Sequence, residues 1–297
     1  MARHLVKVLV TGHKGFIGSH VYGHLKEVGH DVSGFDLGDK VPEEKFDLIV
    51  HMAARGLIRE SVKLPYNYFK DDLDLAVFFL EKARLDSSCF VFPTSGSTEL
   101  PTNPYSLAKK QAVEWIELYQ RLYGLKSYVL RLFNVYGEGS RKGLVYLSVR
   151  SALTGQPITV YGDGSHVRDY FYVGDVVKVV DKIVGGELPP GEYECGTGSG
   201  YSVMQVLDKV ESVVGKDVRY STSPYAVEEA QRLVADRPVL KDCTPLEAGL
   251  RRVVEFVLQD LRQEKKPRRE DPSNGTCRFG RPSIVAGVPL TPLFLGL

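Results

Sequence analysis

The chain has 297 residues, 43% of them hydrophobic, and a formal net charge of +1. That length suits one large α/β domain or two small ones around a substantial core. The near-neutral balance gives no general pull toward nucleic acid or acidic membranes, and no apolar run is long enough to span a bilayer.

In chain order, the first predicted strand is 5–10, and it runs straight into Thr11-Gly12-His13-Lys14-Gly15-Phe16-Ile17-Gly18. A helix is predicted at once, over 18–28, closed by Gly29. A buried strand, a glycine-rich turn and a helix in that order make a pyrophosphate site. The glycines let backbone approach the phosphates, and the helix N-terminus supplies unpaired N–H groups. A second strand, 31–35, ends at Asp36, an acid about 20 residues past the glycines. Its carboxylate would accept hydrogen bonds from a ribose 2′-hydroxyl and repel a 2′-phosphate, so the expected cofactor is NAD and not NADP.

Strands 47–52, 89–94 and 127–133 then alternate with helices 66–84 and 105–123, which implies a parallel sheet with helices on both faces. Beyond about residue 135 the pattern is mixed. Turn clusters at Tyr161–Ser165 and Gly196–Gly200 separate helices expected over 143–155, 174–185, 202–214 and 245–262. No internal repeat is evident. The remainder, 263–297, carries Lys265, Lys266, Arg268 and Arg269 with several prolines and no amphipathic period; it reads as a flexible tail.

Four cysteines (Cys89, Cys195, Cys243, Cys277) lie far apart without metal spacing. They imply a reducing compartment and no disulfide framework. With no signal peptide at the N-terminus, a cytoplasmic location is expected. The seven histidines include one helical pair, His20 and His24, but no further ligand accompanies it. No metal site is expected.

Tyr105 and Lys109 stand four residues apart, one turn along a helix face. A phenol with a pKa of about 10 is a poor base at neutral pH, and a nearby ammonium should lower it. On spacing alone, Asn103-Pro104 is an ordinary helix start and Tyr105 a packing residue. Behind a dinucleotide turn, the pair reads as a device that exchanges a proton with a sugar hydroxyl while a nicotinamide exchanges hydride.

With both signatures present, the chain resembles the extended short-chain dehydrogenases/reductases of the NAD-dependent sugar-nucleotide epimerase/dehydratase family, the kind that includes UDP-glucose/galactose 4-epimerases. Other family marks follow in order over residues 5–260. They are His51-Met52-Ala53-Ala54, Thr94-Ser95-Gly96, Arg131 to Gly137, Val160 to Gly164 with Val167-Arg168-Asp169-Tyr170, Gly196-Thr197-Gly198, and Leu246 to Leu250. The resemblance implies an α/β, Rossmann-type doubly wound parallel sheet with a smaller mixed α/β substrate-binding region. The NAD-binding domain would span 1–134 and the substrate region 135–262, part of 168–185 packing back on the first.

The resemblance also implies roles. Ser95, with Tyr105 and Lys109, would be catalytic, Thr94 being the alternative hydroxyl. Gly12, Gly15, Phe16, Ile17, Gly18, Asp36, Ala53, Ala54, Tyr105 and Lys109 would hold NAD. Ser95, Asn134 and Arg168 would hold a nucleotide-sugar substrate, Arg168 through its diphosphate. A homodimer is expected through helices 66–84 and 105–123.

The chain departs from the family in three places. Only nine residues separate Asp36 from Phe46, where relatives fit a further helix and strand, so the third strand is expected to be reduced or absent. Asp72 stands where relatives usually have asparagine. The 220–245 segment is compressed. The expected reaction is 4-epimerisation of a UDP-hexose through a transient 4-keto sugar. A 4,6-dehydratase would need an acid pair where Gly96-Ser97 stand, and Glu99 is out of step. A UDP-uronate decarboxylase and a non-catalytic binding protein for NAD or a nucleotide sugar are the other readings.

Overall fold

The computed structural model describes residues 5–96, 101–224 and 230–264. The predicted tail from 265 on, Glu99 and part of the compressed 220–245 segment lie outside the described residues. The first half runs β1 (Lys7–Thr11), α1 (Phe16–Glu27), β2 (Asp31–Phe35), β3 (Leu48–His51), α2 (Ile58–Lys63), α3 (Pro65–Tyr68), a π-helical turn (Phe69–Asp74), α4 (Leu75–Asp86), β4 (Cys89–Ser95), α5 (Pro104–Tyr123) and β5 (Ser127–Leu132). The second half runs β6 (Asn134–Tyr136), α6 (Gly143–Thr154), β7 (Ile158–Tyr161), β8 (Val167–Tyr172), α7 (Val173–Val184), β9 (Gly191–Cys195), β10 (Gly200–Ser202), α8 (Val203–Val214), β11 (Tyr220–Ser223), β12 (Arg232–Leu233) and α9 (Leu246–Glu264).

Six strands form one parallel sheet in the order β2-β1-β3-β4-β5-β9. Its inner strands β1, β3 and β4 are largely apolar on both faces because helices cover both. The strand period of two sorts the side chains. Val8, Val10, Val50, Val91 and Leu130 join Val21 and Leu25 of α1 and Val176 and Val179 of α7. Leu9, Ile49, Phe90 and Phe92 point the other way, against Phe79 and Leu80 of α4 and Ala112 and Ile116 of α5. A third core, including Val149, Val206, Leu207, Leu250 and Val253, joins α6, α8 and α9. The smaller sheets are β10-β8-β12 with β6 on β8, and β11-β7.

Among the described residues no strand lies between β2 and β3, so β2 is the sheet's edge. The connecting segment is fixed at both ends. Asp36 Oδ2 accepts the Lys14 N–H at 3.0 Å, and Asp47 Oδ2 accepts the Lys7 N–H at 2.8 Å. Phe46 is buried beneath it, and Glu44 accepts from Ser33 on β2. A short, charged cover of this kind is one way sheets protect an edge.

The helix predicted over 66–84 is three pieces. α3 opens at Pro65, the π-helical turn carries Phe69–Asp74, and α4 follows. α9 continues to Glu264, two residues beyond the predicted end, where Arg150 pairs with Glu264 at 2.9 Å.

Candidate active site

The glycine turn stands at the C-terminal end of β1, where parallel sheets bind ligands. Gly12 has φ +68°, and a Cβ there would lie 2.6 Å from the Ala53 nitrogen. A Cβ on Gly18 would lie 2.1 Å from the Gly12 carbonyl oxygen. Both positions therefore exclude any side chain. The α1 N-cap is Gly15, with no side-chain cap and no acid in the first turn, so its N–H groups face an anion site.

Two cavities meet at this turn. One, of ≈ 370 Å³, is lined by Asp36, Leu37, Ala53 and Lys14. The other, of ≈ 660 Å³, is the main cleft, lined by Phe16, Ile17, Gly18, Ser95, Tyr105 and Lys109. Gly12, Gly15, Met52, Ala54 and Arg55 line both. A smaller space and a larger catalytic space that meet at the glycine turn fit a dinucleotide of the NAD type. Asp36 Oδ1 accepts the Leu37 N–H at 2.9 Å, which orients the carboxylate toward the smaller cavity.

α5 starts where the sequence predicts. Asn103 and Ser106 form a reciprocal capping box, with Pro104 in the first turn. That fixes Tyr105 at the mouth of the cleft and places Lys109 one turn deeper. Lys109 is buried; its Nζ donates to the Pro93 carbonyl at 3.0 Å and lies 4.5 Å from the Phe92 ring centre. Burial lowers its pKa to about 8, with the Asp72 carboxylate opposing. Tyr68 meets Tyr105 edge-on at 6.4 Å, and its hydroxyl donates to the Leu57 carbonyl.

The expectation that Lys109 would lower the Tyr105 pKa is not met. Burial pushes the phenol upward, and the charges of Asp72 and Tyr68 add to that. The lysine's hydrogen bond goes to β4 instead. Asp72 is itself buried; one carboxylate oxygen accepts the Arg55 N–H at 2.8 Å and the other has no hydrogen-bond partner among the described residues. Burial raises its pKa, against the pull of Lys109.

Ser95 and Thr94 end β4 and both line the cleft. Thr94 is buried, and its hydroxyl has no hydrogen-bond partner among the described residues. Asn134 is exposed at the start of β6 and lines a smaller neighbouring cavity with Tyr136, Tyr146 and Tyr170, not the main cleft. Arg168 is buried on β8, donates to the Val167 carbonyl, and does not line the main cleft. Sequence reasoning missed Arg55, Lys14 and the cleft residues Arg141 and Lys142. A cation in the glycine turn and another after Ala53-Ala54 were the available signals.

The model of the NAD dependent epimerase/dehydratase family matches residues 8–196. The chain belongs to this family. Its relatives in the family include a putative UDP-glucose 4-epimerase of Methanocaldococcus jannaschii, 29% identical over 70% of this chain and 82% of that protein. The UDP-glucose 4-epimerase of Corynebacterium glutamicum is 29% identical over 84% of this chain and 94% of its own. The crystal structure of Thermotoga maritima UDP-glucose 4-epimerase with UDP-glucose superimposes with a TM-score of 0.77 at 28% identity, covering 86% of this chain and 99% of that one. The Thermus thermophilus enzyme, in complex with NAD, gives 0.74 at 28%, covering 84% and 98%. The epimerase/dehydratase family is NAD-dependent, and the cavities above fit that cofactor.

Proposed function

We propose that this chain is a UDP-hexose 4-epimerase. The observation that carries the reading is one cleft lined by the glycine turn, by Ser95 and Thr94, and by Tyr105 and Lys109. Cofactor backbone contacts and a proton-transfer residue converge there on one space. Gly12, Gly15, Gly18, Asp36, Ala53 and Ala54 hold the dinucleotide, with Phe16 and Ile17 beside it, and Lys109 and Tyr105 close the nicotinamide end.

The Tyr105 hydroxyl oxygen takes the proton from the sugar 4-hydroxyl and later returns it. Ser95, with Thr94 behind it, holds that sugar oxygen by a hydrogen bond. Lys109, one turn along α5 and fixed by the Pro93 carbonyl, is placed to reach the ribose hydroxyls beside the nicotinamide. Held by these residues, NAD would supply the acceptor and donor of the C4 hydride, with no net redox change overall. The pocket around Asn134 and the buried Arg168 of β8 are read as the nucleotide-diphosphate side of the substrate site.

Gly96 supports epimerisation over dehydration. A Cβ there would lie 3.0 Å from Phe133 Cε1, so the added acid a 4,6-dehydratase would use would have to displace the Phe133 ring. The reading extends to a homodimer in the cytoplasm. Phe69, Phe78, Trp115 and Leu122 are exposed on the helices around α4 and α5, whereas Leu73, Leu80, Ile116 and Tyr119 are core. An apolar patch outside a filled core suits a partner subunit.

Proton NMR of the purified protein with NAD, on UDP-galactose and then UDP-N-acetylgalactosamine, tests the reading. Appearance of the gluco epimer supports it. Loss of carbon dioxide from a UDP-uronic acid would make the chain a decarboxylase. NAD binding without turnover of any nucleotide sugar would make it a binding protein.

A further inference from the structure

Arg55 is the one ionisable residue among those that line both cavities at the glycine turn. It stands in the loop after β3, where the two cavities meet beside the glycine turn. Its position is fixed twice. Asp72 Oδ1 accepts its backbone N–H at 2.8 Å, and Asp71 Oδ2 accepts its Nε–H at 2.6 Å. These acids are consecutive, and the π-helical turn that carries them lets both reach one residue. Glu60 forms an ion pair with Nη1 at 4.0 Å, longer than a hydrogen bond, and the Tyr68 ring centre lies 5.9 Å from Cζ. A guanidinium has five donors in a planar fork, and pairing Nε with Asp71 leaves the Nη groups to meet phosphate oxygens.

We propose that Arg55 is a pyrophosphate clamp for the dinucleotide, holding it beside the glycine turn, with Asp71 and Asp72 as its positioning residues. The inference rests on NAD as the cofactor. Two negative phosphates where the cavities join would meet both backbone N–H groups and a fixed cation. The missing strand beyond β2 makes this contact weigh more. Of the 36–47 connection only Asp36 and Leu37 line the adenosine end, so the middle of the cofactor carries a larger share of the binding.

The test is equilibrium titration of the full chain, freed of nucleotide, with NAD, ADP-ribose and adenosine, followed by protein fluorescence. The wild type should bind NAD and ADP-ribose. Arg55→Ala should weaken both by about tenfold or more, while adenosine binding changes by less than about twofold. Asp71→Asn, which keeps Arg55 but loosens its anchor, should fall between. Equal weakening of all three ligands would mean that Arg55 only shapes the pocket, and an unchanged NAD affinity would also overturn the clamp. If Arg55→Ala does not melt cooperatively, Arg55→Lys replaces it. That variant should lose affinity for NAD and ADP-ribose but not adenosine, and the same two results would overturn the proposal. A wild type that binds neither NAD nor ADP-ribose would remove the cofactor assignment itself, a result distinct from a variant that binds as the wild type does.

Discussion

Lys109 Nζ donates to the carbonyl of Pro93 at 3.0 Å, tying the N-terminal part of α5 to the strand that ends in Ser95. The proton-transfer face of the helix and the hydroxyl-bearing strand end are thereby held as one unit. Tyr105, one turn above, lines the same cleft.

Tyr105→Phe removes only the hydroxyl. Turnover of the epimerisation substrate should fall by about 100-fold or more, with NAD binding within about twofold of wild type. NMR turnover and NAD titration on the same preparation check this. Retained turnover would take the proton-transfer role from Tyr105.

Asp72→Asn keeps an oxygen for the Arg55 N–H but removes the charge that pushes the Tyr105 phenol up. The phenol then ionises more readily, so the acid limb of the kcat/KM profile should move to lower pH. The same change removes support for the Lys109 ammonium, whose pKa should fall further below about 8. A profile that superimposes on the wild type would show that the carboxylate does not act on the pair.

His51 is fully buried; its Nδ1 hydrogen-bonds Thr11 Oγ1 at 2.9 Å, and burial, then Lys109, lowers its pKa from 6.5 to about 3. Between those values the unfolded chain binds a proton that the folded chain does not. The folded pKa is depressed, so this contribution is present above 6.5 and is lost as pH falls toward 3. The slope is at most about 1.4 kcal/mol per pH unit. His51→Phe keeps a ring among Phe79, Phe90 and Phe92 and should flatten the decline. Urea unfolding across that range measures it; identical slopes would refute the assignment.

Gly12→Ala forces a methyl group to within 2.6 Å of the Ala53 backbone at a left-handed φ. The variant should lose about 1–3 kcal/mol of stability. It should also lose NAD affinity, because the loop that must move lines both cavities. Thermal unfolding and NAD titration test the two effects separately.

The parallel sheet, the glycine turn and the Tyr105/Lys109 helix were legible because each follows from a local period or a cap. β2 and α5 fall within a residue of their expected bounds for that reason. The π-helical turn was not legible: Leu73, Ala76 and Leu80 keep a helix-like apolar spacing through it, so the widened turn leaves no mark on the period. The ionisation of Tyr105 was misread because spacing brings an ammonium near but does not show where it donates. Arg55 was missed because a loop residue owes its place to Asp71 and Asp72, which lie in a later element. Asn134 and Arg168 show the converse. Family motifs identify them, but only the fold shows that neither lines the main cleft.

The loop that stands in for a strand beyond β2 has a consequence for how this protein could be rebuilt. An outer strand pairs on one side only, so its absence leaves every other ladder intact. The two ends of the 36–47 connection are already tied to Lys14 and Lys7. Lengthening a loop between such fixed posts costs only about 0.6 kcal/mol per doubling. This is therefore the place where a grafted helix and strand could be inserted to change which nucleotide the smaller cavity prefers, without touching the residues that move the proton.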